Sequence, residues 1–217
     1  NGATQSIPVL CWYAATRGFG DSPAPRPLAV AFPQLQAYDN AFRRGLGSFS
    51  DFLHWFRQEE DLENETRLRE DPAHRNPRLE IVRRAVQRFM NELGSGHFSD
   101  LRIERGGHGS DKESALVLEK NKVLLRIEQL SDGEKGTLLL VSDLARRFAL
   151  AHAHREDPLQ GDGIVLIDEI DRDLHPGWQR AFLPALEATF PRCQFIASTH
   201  SPQVLSGVRK EHVFLLE

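Results

Sequence analysis

The stretch Gly163-Ile164-Val165-Leu166-Ile167-Asp168-Glu169 decides the fold that this sequence predicts. Its apolar residues, mostly β-branched, are typical of an inner strand that is buried on both faces of a parallel sheet. Two carboxylates follow at once, and ligands of open α/β sheets bind just beyond the carboxyl ends of the strands. One carboxylate can hold a hard metal ion and the other can take a proton from water, so we expect Asp168 and Glu169 to lie at the functional site. The alternative is an acidic pair that merely ends a strand and turns to solvent.

The composition is that of an ordinary globular protein. The chain has 217 residues, enough for one large domain or two small ones with a sizeable core. Its 27 basic and 31 acidic side chains give a net charge of −4, which argues against a wholly basic nucleic-acid binder but not against a local patch. Cys11 and Cys193 are far apart in the sequence, so neither a disulfide framework nor a zinc site is indicated. No apolar run approaches the roughly 20 residues that span a bilayer, so we expect a cytoplasmic protein that does not contact a membrane.

A second strand and a histidine are predicted after the acidic stretch. Residues 177–190 show helical periodicity, and residues 193–199 are typical of a strand. A strand, a helix and a strand at this spacing form a right-handed crossover unit with parallel strands, so His200 should lie at the same sheet edge as the acidic pair. A lone histidine is usually structural or solvated, but its position at this edge, before Ser201-Pro202 opens another helix, favours a functional role.

The amino-terminal part predicts a strand, a loop and a charged helix. Residues 7–13 are apolar and partly β-branched, as in a strand, whereas the prolines and glycines of residues 18–33 indicate a loop. Because this strand begins abruptly, we expect an upstream part of the fold to be absent from the sequence. Helical periodicity over residues 50–57 continues into the acidic run 59–65, which we expect to be a solvated helix or a protruding arm.

A second helix and three strands are predicted before the long central helix. The helix, residues 77–93, has an arginine-rich face that could meet phosphates, although such faces are more often only solubilising. Residues 98–104 alternate as a half-exposed strand does, and two further strands flank the turn 120–122 of a β-hairpin. The glycine-rich run 106–109 lies between strands and is interpreted as a loop. Residues 212–216 are expected to form a last strand.

Leu130-Ser131-Asp132-Gly133-Glu134 stands at the start of a long helical pattern. Ser131 with Glu134 three residues later forms a capping box, which explains both residues as helix-start chemistry. The capping box leaves Gly133 unexplained. A serine and backbone N–H groups at a helix start are also suited to bind an anion, so both interpretations of Ser131 stay open.

Four motifs in this order resemble those of the ABC-class ATPases. They are the signature loop (130–134), Walker B (164–169), the D-loop (171–176) and the switch-histidine motif Ser198-Thr199-His200-Ser201-Pro202. The likeness is in particular to prokaryotic AAA-type ATPases related to SMC, RecF and OLD proteins, including those of anti-phage defence systems. It implies an α/β P-loop NTPase fold, in which a parallel sheet has helices on both faces, with a helical insertion and a β-hairpin. The implied divisions are a strand and loop of the ATPase core (1–33), a helical insertion (34–97) and an ATPase lobe (98–217).

The resemblance also implies roles for the residues at the sheet edge. Asp168 would hold Mg²⁺, Glu169 would polarise the attacking water, and His200 would sense or stabilise the γ-phosphate of ATP. Phosphoryl transfer depends mainly on positioning and charge stabilisation, and these residue types supply both.

The remaining matched residues imply an assembly. Ser131 and Gly133 would contact the γ-phosphate of an ATP bound on a partner chain, and Asp173 of the D-loop would contribute to nucleotide binding. The resemblance therefore implies an ATP-dependent homodimer that acts as a switch, linked to DNA or to a partner effector protein.

The sequence departs from this class chiefly in its lack of a phosphate loop. The phosphate loop of the class, Gly-x-x-x-x-Gly-Lys-Ser/Thr, does not occur in the 217 residues, and the run 17–22 lacks both the lysine and the spacing. We therefore expect this chain to be the later part of an ATPase and to bind nucleotide poorly by itself. Asp132 stands where transporter-type members usually have glycine, a variation compatible with the SMC-like branch.

Two other functions stay open. A metal-dependent nuclease would use Asp168, Glu169, Asp171, Asp173 and His175 as a metal cluster. The expected strand geometry disfavours it, because Asp171 and Asp173 would lie in a turning loop beyond the strand end. A non-catalytic interaction module would keep the fold only as a scaffold.

Overall fold

The computed structural model describes residues 7–15, 33–42, 47–94, 96–105 and 114–216. The runs 17–22 and 106–109 lie outside these ranges, as does most of the loop predicted over residues 18–33. The helices and strands, in chain order, are β1 (Val9–Tyr13), α1 (Gly47–Arg69), α2 (Pro77–Glu92), β2 (Phe98–Glu104), β3 (Ala115–Lys120), β4 (Val123–Arg126), α3 (Asp132–Ala151), β5 (Gly163–Ile167), α4 (Pro176–Thr189), β6 (Cys193–Ala197) and α5 (Pro202–Ser206). Short 3-10 helices cover Pro33–Tyr38, Ile127–Gln129, Pro158–Gln160 and Lys210–His212.

A parallel sheet with the order β1-β5-β6 carries the acidic stretch. Val9 of β1 and Cys193 of β6 both pair with Gly163 of β5, and the register continues to the ends of the three strands. The three carboxyl ends therefore meet at one edge of the sheet. This arrangement confirms the predicted α/β class and the parallel pairing of the strands on either side of α4.

One face of this sheet belongs to the main hydrophobic core. Val9, Cys11, Val165 and Ile167 are buried on that face and share the core with α3. On the opposite face Ile164 is 38% exposed and Ile196 is 50% exposed. The prediction that β5 is buried on both faces is therefore wrong for the described residues, since none of the described elements covers this second face completely.

The helices share one core with the sheet. The ring of Phe89 in α2 meets that of Phe182 in α4 edge-on, with 5.2 Å between the ring centroids. Phe148 of α3 packs against Phe190, just beyond α4, with the ring centroids 5.1 Å apart. The apolar faces predicted from helical periodicity are the faces that pack, so α2 and α4 pack together with α3 in the core that α3 shares with the sheet. No helix among the described residues is long and apolar enough to cross a membrane.

The acidic run in α1 is an inter-helix network and not a solvated arm. Glu63 is fully buried and accepts hydrogen bonds from Arg83 of α2, at 3.0 Å, and from the backbone N–H of Asn76. Glu60 is buried and accepts the backbone N–H of Ile103 in β2. The prediction of a protruding arm over residues 59–65 was wrong because partners on α2 and β2 make burial of these carboxylates tolerable.

The predicted hairpin is present, and the predicted last strand is not. β3 pairs antiparallel with β4 and with β2, so the three strands form a second sheet in the order β2-β3-β4. Residues 213–216 follow the last 3-10 helix without regular structure, and Phe214 is 84% exposed. The strand predicted over residues 212–216 was wrong, because an apolar run forms a strand only where another strand offers hydrogen-bonding partners.

Candidate functional site

The carboxylates that follow β5 stand at the carboxyl edge of the parallel sheet. The backbone N–H of Asp168 donates to the carbonyl oxygen of Tyr13 at 2.8 Å, which extends the pairing of β5 with β1 by one residue. Glu169 leaves the strand with a φ of 45°, a left-handed conformation that side chains other than glycine rarely adopt. Both residues are half-buried. The chain thus turns sharply where the sequence predicted the site.

Tyr13 connects this edge to a buried ion cluster that the sequence analysis missed. Its hydroxyl donates to Asp143 at 2.9 Å, and Asp143 also accepts from Arg146 and Arg147 of α3. Burial would raise the pKa of Asp143, but the two guanidinium groups outweigh it and hold this pKa below its ordinary value. Arg147 donates further to the carbonyl oxygen of Ala37. The cluster therefore fixes the end of β1 against α3.

Ser198, the first residue after β6, contacts both acidic residues. Its hydroxyl donates to Oδ1 of Asp168 at 2.5 Å and accepts the backbone N–H of Glu169 at 2.9 Å. In the sequence Ser198 belongs to the switch-histidine motif, which predicts no role for this residue. These contacts depend on a neighbouring strand, so the position of Ser198 before Thr199-His200 was the available signal.

His200 is exposed beyond β6, and both of its neighbours are anchored. The hydroxyl of Thr199 donates to Asp171, and the hydroxyl of Ser201 donates to Oε1 of Gln179 at 2.6 Å. Ser201 also caps α5 by accepting the backbone N–H of Gln203. The structure thus places His200 on the carboxyl edge that carries Asp168, on the adjacent strand.

Ser131 begins α3 with the predicted capping box. Its hydroxyl and its backbone N–H donate to Oε2 of Glu134, at 2.8 and 3.0 Å, while the backbone N–H of Glu134 points back to the Ser131 hydroxyl at 3.4 Å. Lys120, at the end of β3, forms an ion pair with the same Glu134. Burial would raise the pKa of Glu134, but the bonds from Lys120 and Ser131 outweigh it and lower this pKa. The side chain of Ser131 itself stays exposed.

Gly133 joins the signature loop to the D-loop. It is buried, and the space in front of its Cα is filled by the backbone of Asp173. Asp173 has a φ of 60°, so the D-loop is itself turned sharply at this contact. Close approach of two backbones explains a glycine that the capping box left unexplained.

Arg172 links the D-loop to the sheet edge. Its guanidinium lies 3.3 Å from Oε2 of Glu169 and 3.8 Å from Oδ2 of Asp173. A chain of contacts therefore runs from Glu169 through Arg172 and Asp173 to Gly133. Sequence reasoning missed Arg172, because an arginine between two acidic residues is common on protein surfaces.

The acidic residues of the nuclease hypothesis do not form one cluster. Asp168 is bonded to Ser198, Asp171 to Thr199, and His175 caps α4 by accepting the backbone N–H of Gly177 at 3.1 Å. Throughout the described part of the chain, no three His, Cys, Asp or Glu side chains are arranged to hold a metal ion. The separate partners of these residues disfavour the nuclease hypothesis.

The described residues thus combine a parallel sheet with carboxylates beyond one strand, a histidine beyond the next strand and a capped helix start that packs against the loop after β5. Residues 20–206 match the family described as "AAA domain, putative AbiEii toxin, Type IV TA system". The chain belongs to this family.

Individual proteins are also similar to the chain. "Retron Ec83 probable ATPase" of Escherichia coli is 46% identical over 120 residues, which cover 55% of this chain and 21% of that protein. "Retron Vc95 probable ATPase" of Vibrio cholerae serotype O1 biovar El Tor is 30% identical over 252 aligned positions, which cover 98% of this chain and 48% of that protein. "Septu protein PtuA" of Bacillus mycoides is 38% identical over 91 residues, 42% of this chain and 12% of that protein. The chain spans less than half the length of each of these relatives.

Solved structures give a weaker likeness. The structure described as "SMC head domain from Thermotoga maritima" matches 69% of this chain and 44% of its own, with 22% identity and a TM-score of 0.38. A structure from a study of ATP-driven dimerization and DNA stimulated activation of SMC ATPases matches 59% of this chain and 73% of its own, with 20% identity and a TM-score of 0.41. Because both TM-scores are low, the family assignment rests on the family match alone.

Proposed function

We propose that the protein containing this chain binds and hydrolyses ATP. The observation that carries the proposal is the placement of Asp168 and Glu169 beyond the carboxyl end of β5, where Ser198 of the neighbouring strand bonds to both residues. Ligands of α/β sheets bind at this edge, and family membership and the names of the retron relatives agree with the proposal.

The groups at this edge fit a magnesium ion. Carboxylate and hydroxyl oxygens, the donors that Mg²⁺ prefers, are offered by Asp168, Glu169 and Ser198. When bound, the ion would neutralise charge on the phosphate oxygens. Asp168, which continues the line of β5, would hold the ion.

Glu169 and His200 have separate tasks in this proposal. Glu169 follows the strand with a left-handed backbone, and its carboxylate would orient and deprotonate the attacking water. His200, exposed at the end of the adjacent strand, would donate a hydrogen bond to the γ-phosphate.

Removal of the metal ion with a chelator tests the metal requirement. Phosphate release from ATP by the full-length protein should need Mg²⁺ and should stop when EDTA is added. Equal release with EDTA would contradict the proposal.

The start of α3 supports a second, composite part of the site. The helix has 20 residues and its N-terminal N–H groups favour an added negative charge by about 0.3–1 kcal/mol for each interaction. The acidic side chains of its first turn already form ion pairs, Asp132 with Lys135 and Glu134 with Lys120. They therefore repel a bound anion less than unpaired carboxylates would. Ser131 would contact the γ-phosphate of an ATP held by a second chain. Gly133 would contribute by letting Asp173 approach, and Asp173 would face the same nucleotide.

ATP-dependent dimerisation follows from two such shared sites. Each ATP would bind between the carboxylates of one protomer and Ser131 of the other, so nucleotide would stabilise a two-fold dimer. The full-length Glu169→Gln variant should therefore double its mass in light scattering when ATP is added. Adding Ser131→Arg, a bulky cation in the signature loop, should abolish the shift and leave ATP binding to the monomer.

Glu187→Arg serves as the matched control for the dimer test, because it adds an arginine at an exposed position of α4. This control should dimerise as the parent does. If the variant with Ser131→Arg still dimerises on ATP, Ser131 is only a helix cap.

The biological task is proposed from the relatives. Two of them are named as ATPases of retrons and another as a Septu protein, which supports a role in anti-phage defence with an effector protein or DNA as partner. The ATP-bound dimer would be the state that engages or releases this partner. A pull-down of full-length protein with and without ATP tests it, and identical partners in both conditions would contradict a nucleotide switch.

A further inference from the structure

Ser198 forms four hydrogen bonds that surround the turn after β5. Its hydroxyl donates to Oδ1 of Asp168 at 2.5 Å and accepts the N–H of Glu169 at 2.9 Å. Its backbone N–H donates to the carbonyl oxygen of Ile167, and its carbonyl oxygen accepts the N–H of Ile170, both at 3.0 Å. The residue that follows β6 therefore contacts the last residue of β5 and each of the three residues after it.

The turn needs such support because Glu169 is in a costly backbone conformation. A φ of 45° at a residue other than glycine is disfavoured and persists where the surroundings hold it. The hydroxyl of Ser198 accepts the N–H of this residue. Without that acceptor, the peptide before Glu169 would lose the side-chain bond that holds it in this turn.

Neighbouring hydroxyl groups do not duplicate the contact. Thr199 donates to Asp171 and accepts the N–H of Ser201, and Ser201 donates to Gln179 and accepts the N–H of Gln203. Each hydroxyl after β6 thus has its own partners. Of these three, Ser198 is the one whose side chain contacts Asp168 and Glu169.

We propose that Ser198 is a positioning residue that fixes the carboxylate of Asp168 and the backbone of Glu169 in one geometry. A hydroxyl can donate to the first and accept from the second at the same time, which neither alanine nor a carboxylate can do. The inference rests on the proposed function in so far as it concerns catalysis, but the contact itself does not require nucleotide. Its test therefore has one arm that is independent of ATP hydrolysis.

The independent arm is hydrogen exchange of the Glu169 amide in the full-length protein, resolved by fragmentation mass spectrometry. Ser198→Ala removes the acceptor of the Glu169 amide, so this amide should exchange about two- to tenfold faster, while the amide of Val165 inside β5 keeps its wild-type rate. Ser198→Thr keeps the hydroxyl and should restore the slow rate. Ser206→Ala, at an exposed serine of α5, is the matched control and should change neither amide.

The second arm separates positioning from binding by kinetics. Misplacing both carboxylates should lower kcat for ATP about 10- to 100-fold in Ser198→Ala, with KM within about threefold of wild type and with recovery in Ser198→Thr. An unchanged Glu169 amide in Ser198→Ala, or equal exchange in the alanine and threonine variants, overturns the contact. A wild-type kcat in Ser198→Ala overturns the positioning role. If the wild-type protein does not hydrolyse ATP, the proposed function is contradicted. The hydrogen-exchange measurement then still tests whether Ser198 holds the Glu169 amide.

Discussion

Gly133 and Asp173 lie so close that a Cβ atom added to Gly133 would stand 2.2 Å from the carbonyl oxygen of Asp173. Side chains do not tolerate such a distance, so this glycine fixes the D-loop against the start of α3. The signature loop and the D-loop are therefore one packed unit within a protomer. We therefore expect a substitution in the signature loop to shift the D-loop as well.

We expect Gly133→Ala to lower the free energy of unfolding by about 1–3 kcal/mol, because the backbone of Asp173 must move. Gly136→Ala is the matched control in the same helix, since its added Cβ would have no described atom within 4 Å apart from its chain neighbours and the adjacent backbone of its own helix. This control should be neutral or stabilising by up to about 1 kcal/mol, as alanine favours helix. Urea unfolding of both variants measures the difference, and equal effects would contradict the packing.

The ion network between α1 and α2 predicts a large effect of removing one arginine. Arg83→Met leaves the fully buried Glu63 without its bond at 3.0 Å, although Arg67 and the N–H of Asn76 remain as partners. We expect the free energy of unfolding to fall by about 2–4 kcal/mol, somewhat less than when a buried ion pair with no other partner is broken. Arg88→Met, at an exposed position of the same helix, should stay within about 0.5 kcal/mol of wild type. Similar stabilities of the two variants would mean that the charged run is only a solvated surface.

His152 predicts a specific pH dependence of stability. Its ring is fully buried beside Phe148, and Nε2 lies 3.1 Å from the carbonyl oxygen of Asp162. Burial lowers the pKa of His152, and the positive charge of Arg155 lowers it further, against the opposing effects of Asp162. A lowered folded-state pKa means that the unfolded chain binds the proton more readily. The stability from the neutral ring is thus complete above about pH 6.5 and declines as pH falls towards the lower folded pKa.

The variant His152→Gln should remove part of that dependence. The loss of unfolding free energy between about pH 7.5 and about pH 5.5 should be smaller in this variant than in wild type. His54→Gln, at an exposed position of α1, should keep the wild-type loss. If both variants keep it, protonation of His152 does not govern stability in this range.

The chain alone should bind ATP poorly. Its 217 residues contain no Gly-x-x-x-x-Gly-Lys-Ser/Thr run, and backbone N–H groups of that loop normally hold the phosphates. Calorimetry on this chain should therefore show no saturation up to about millimolar ATP, where binding would contribute only about −4 kcal/mol. A micromolar dissociation constant would reveal a phosphate site elsewhere in the chain.

The parts of the fold that follow from local rules could be predicted from the sequence. The strand before Asp168, the parallel strand before His200 and the capping box of Ser131 depend on periodicity, crossover geometry and spacing over a few residues. Local patterns were therefore enough to predict the parallel pairing of β5 with β6 and the sheet edge where the candidate site lies.

The contacts that could not be predicted join residues that are distant in the chain. Glu63 is buried because Arg83 lies opposite, and Ser198 bonds to Asp168 because β6 lies next to β5. Neither pairing is visible in spacing, since the two residues of each pair are about 20 to 30 positions apart. The strand expected at residues 212–216 failed for the same reason, as its apolar pattern specifies no neighbour.

Hydrolysis of ATP by the full-length Glu169→Gln variant tests the central claim most directly. Glutamine keeps the size of the side chain and cannot accept the proton of water, so turnover should fall by a factor on the order of 10²–10⁴ while ATP stays bound. Glu187→Gln makes the same change at an exposed site on α4 and should hydrolyse ATP at the wild-type rate. Wild-type turnover in Glu169→Gln would contradict the assignment of the hydrolytic carboxylate.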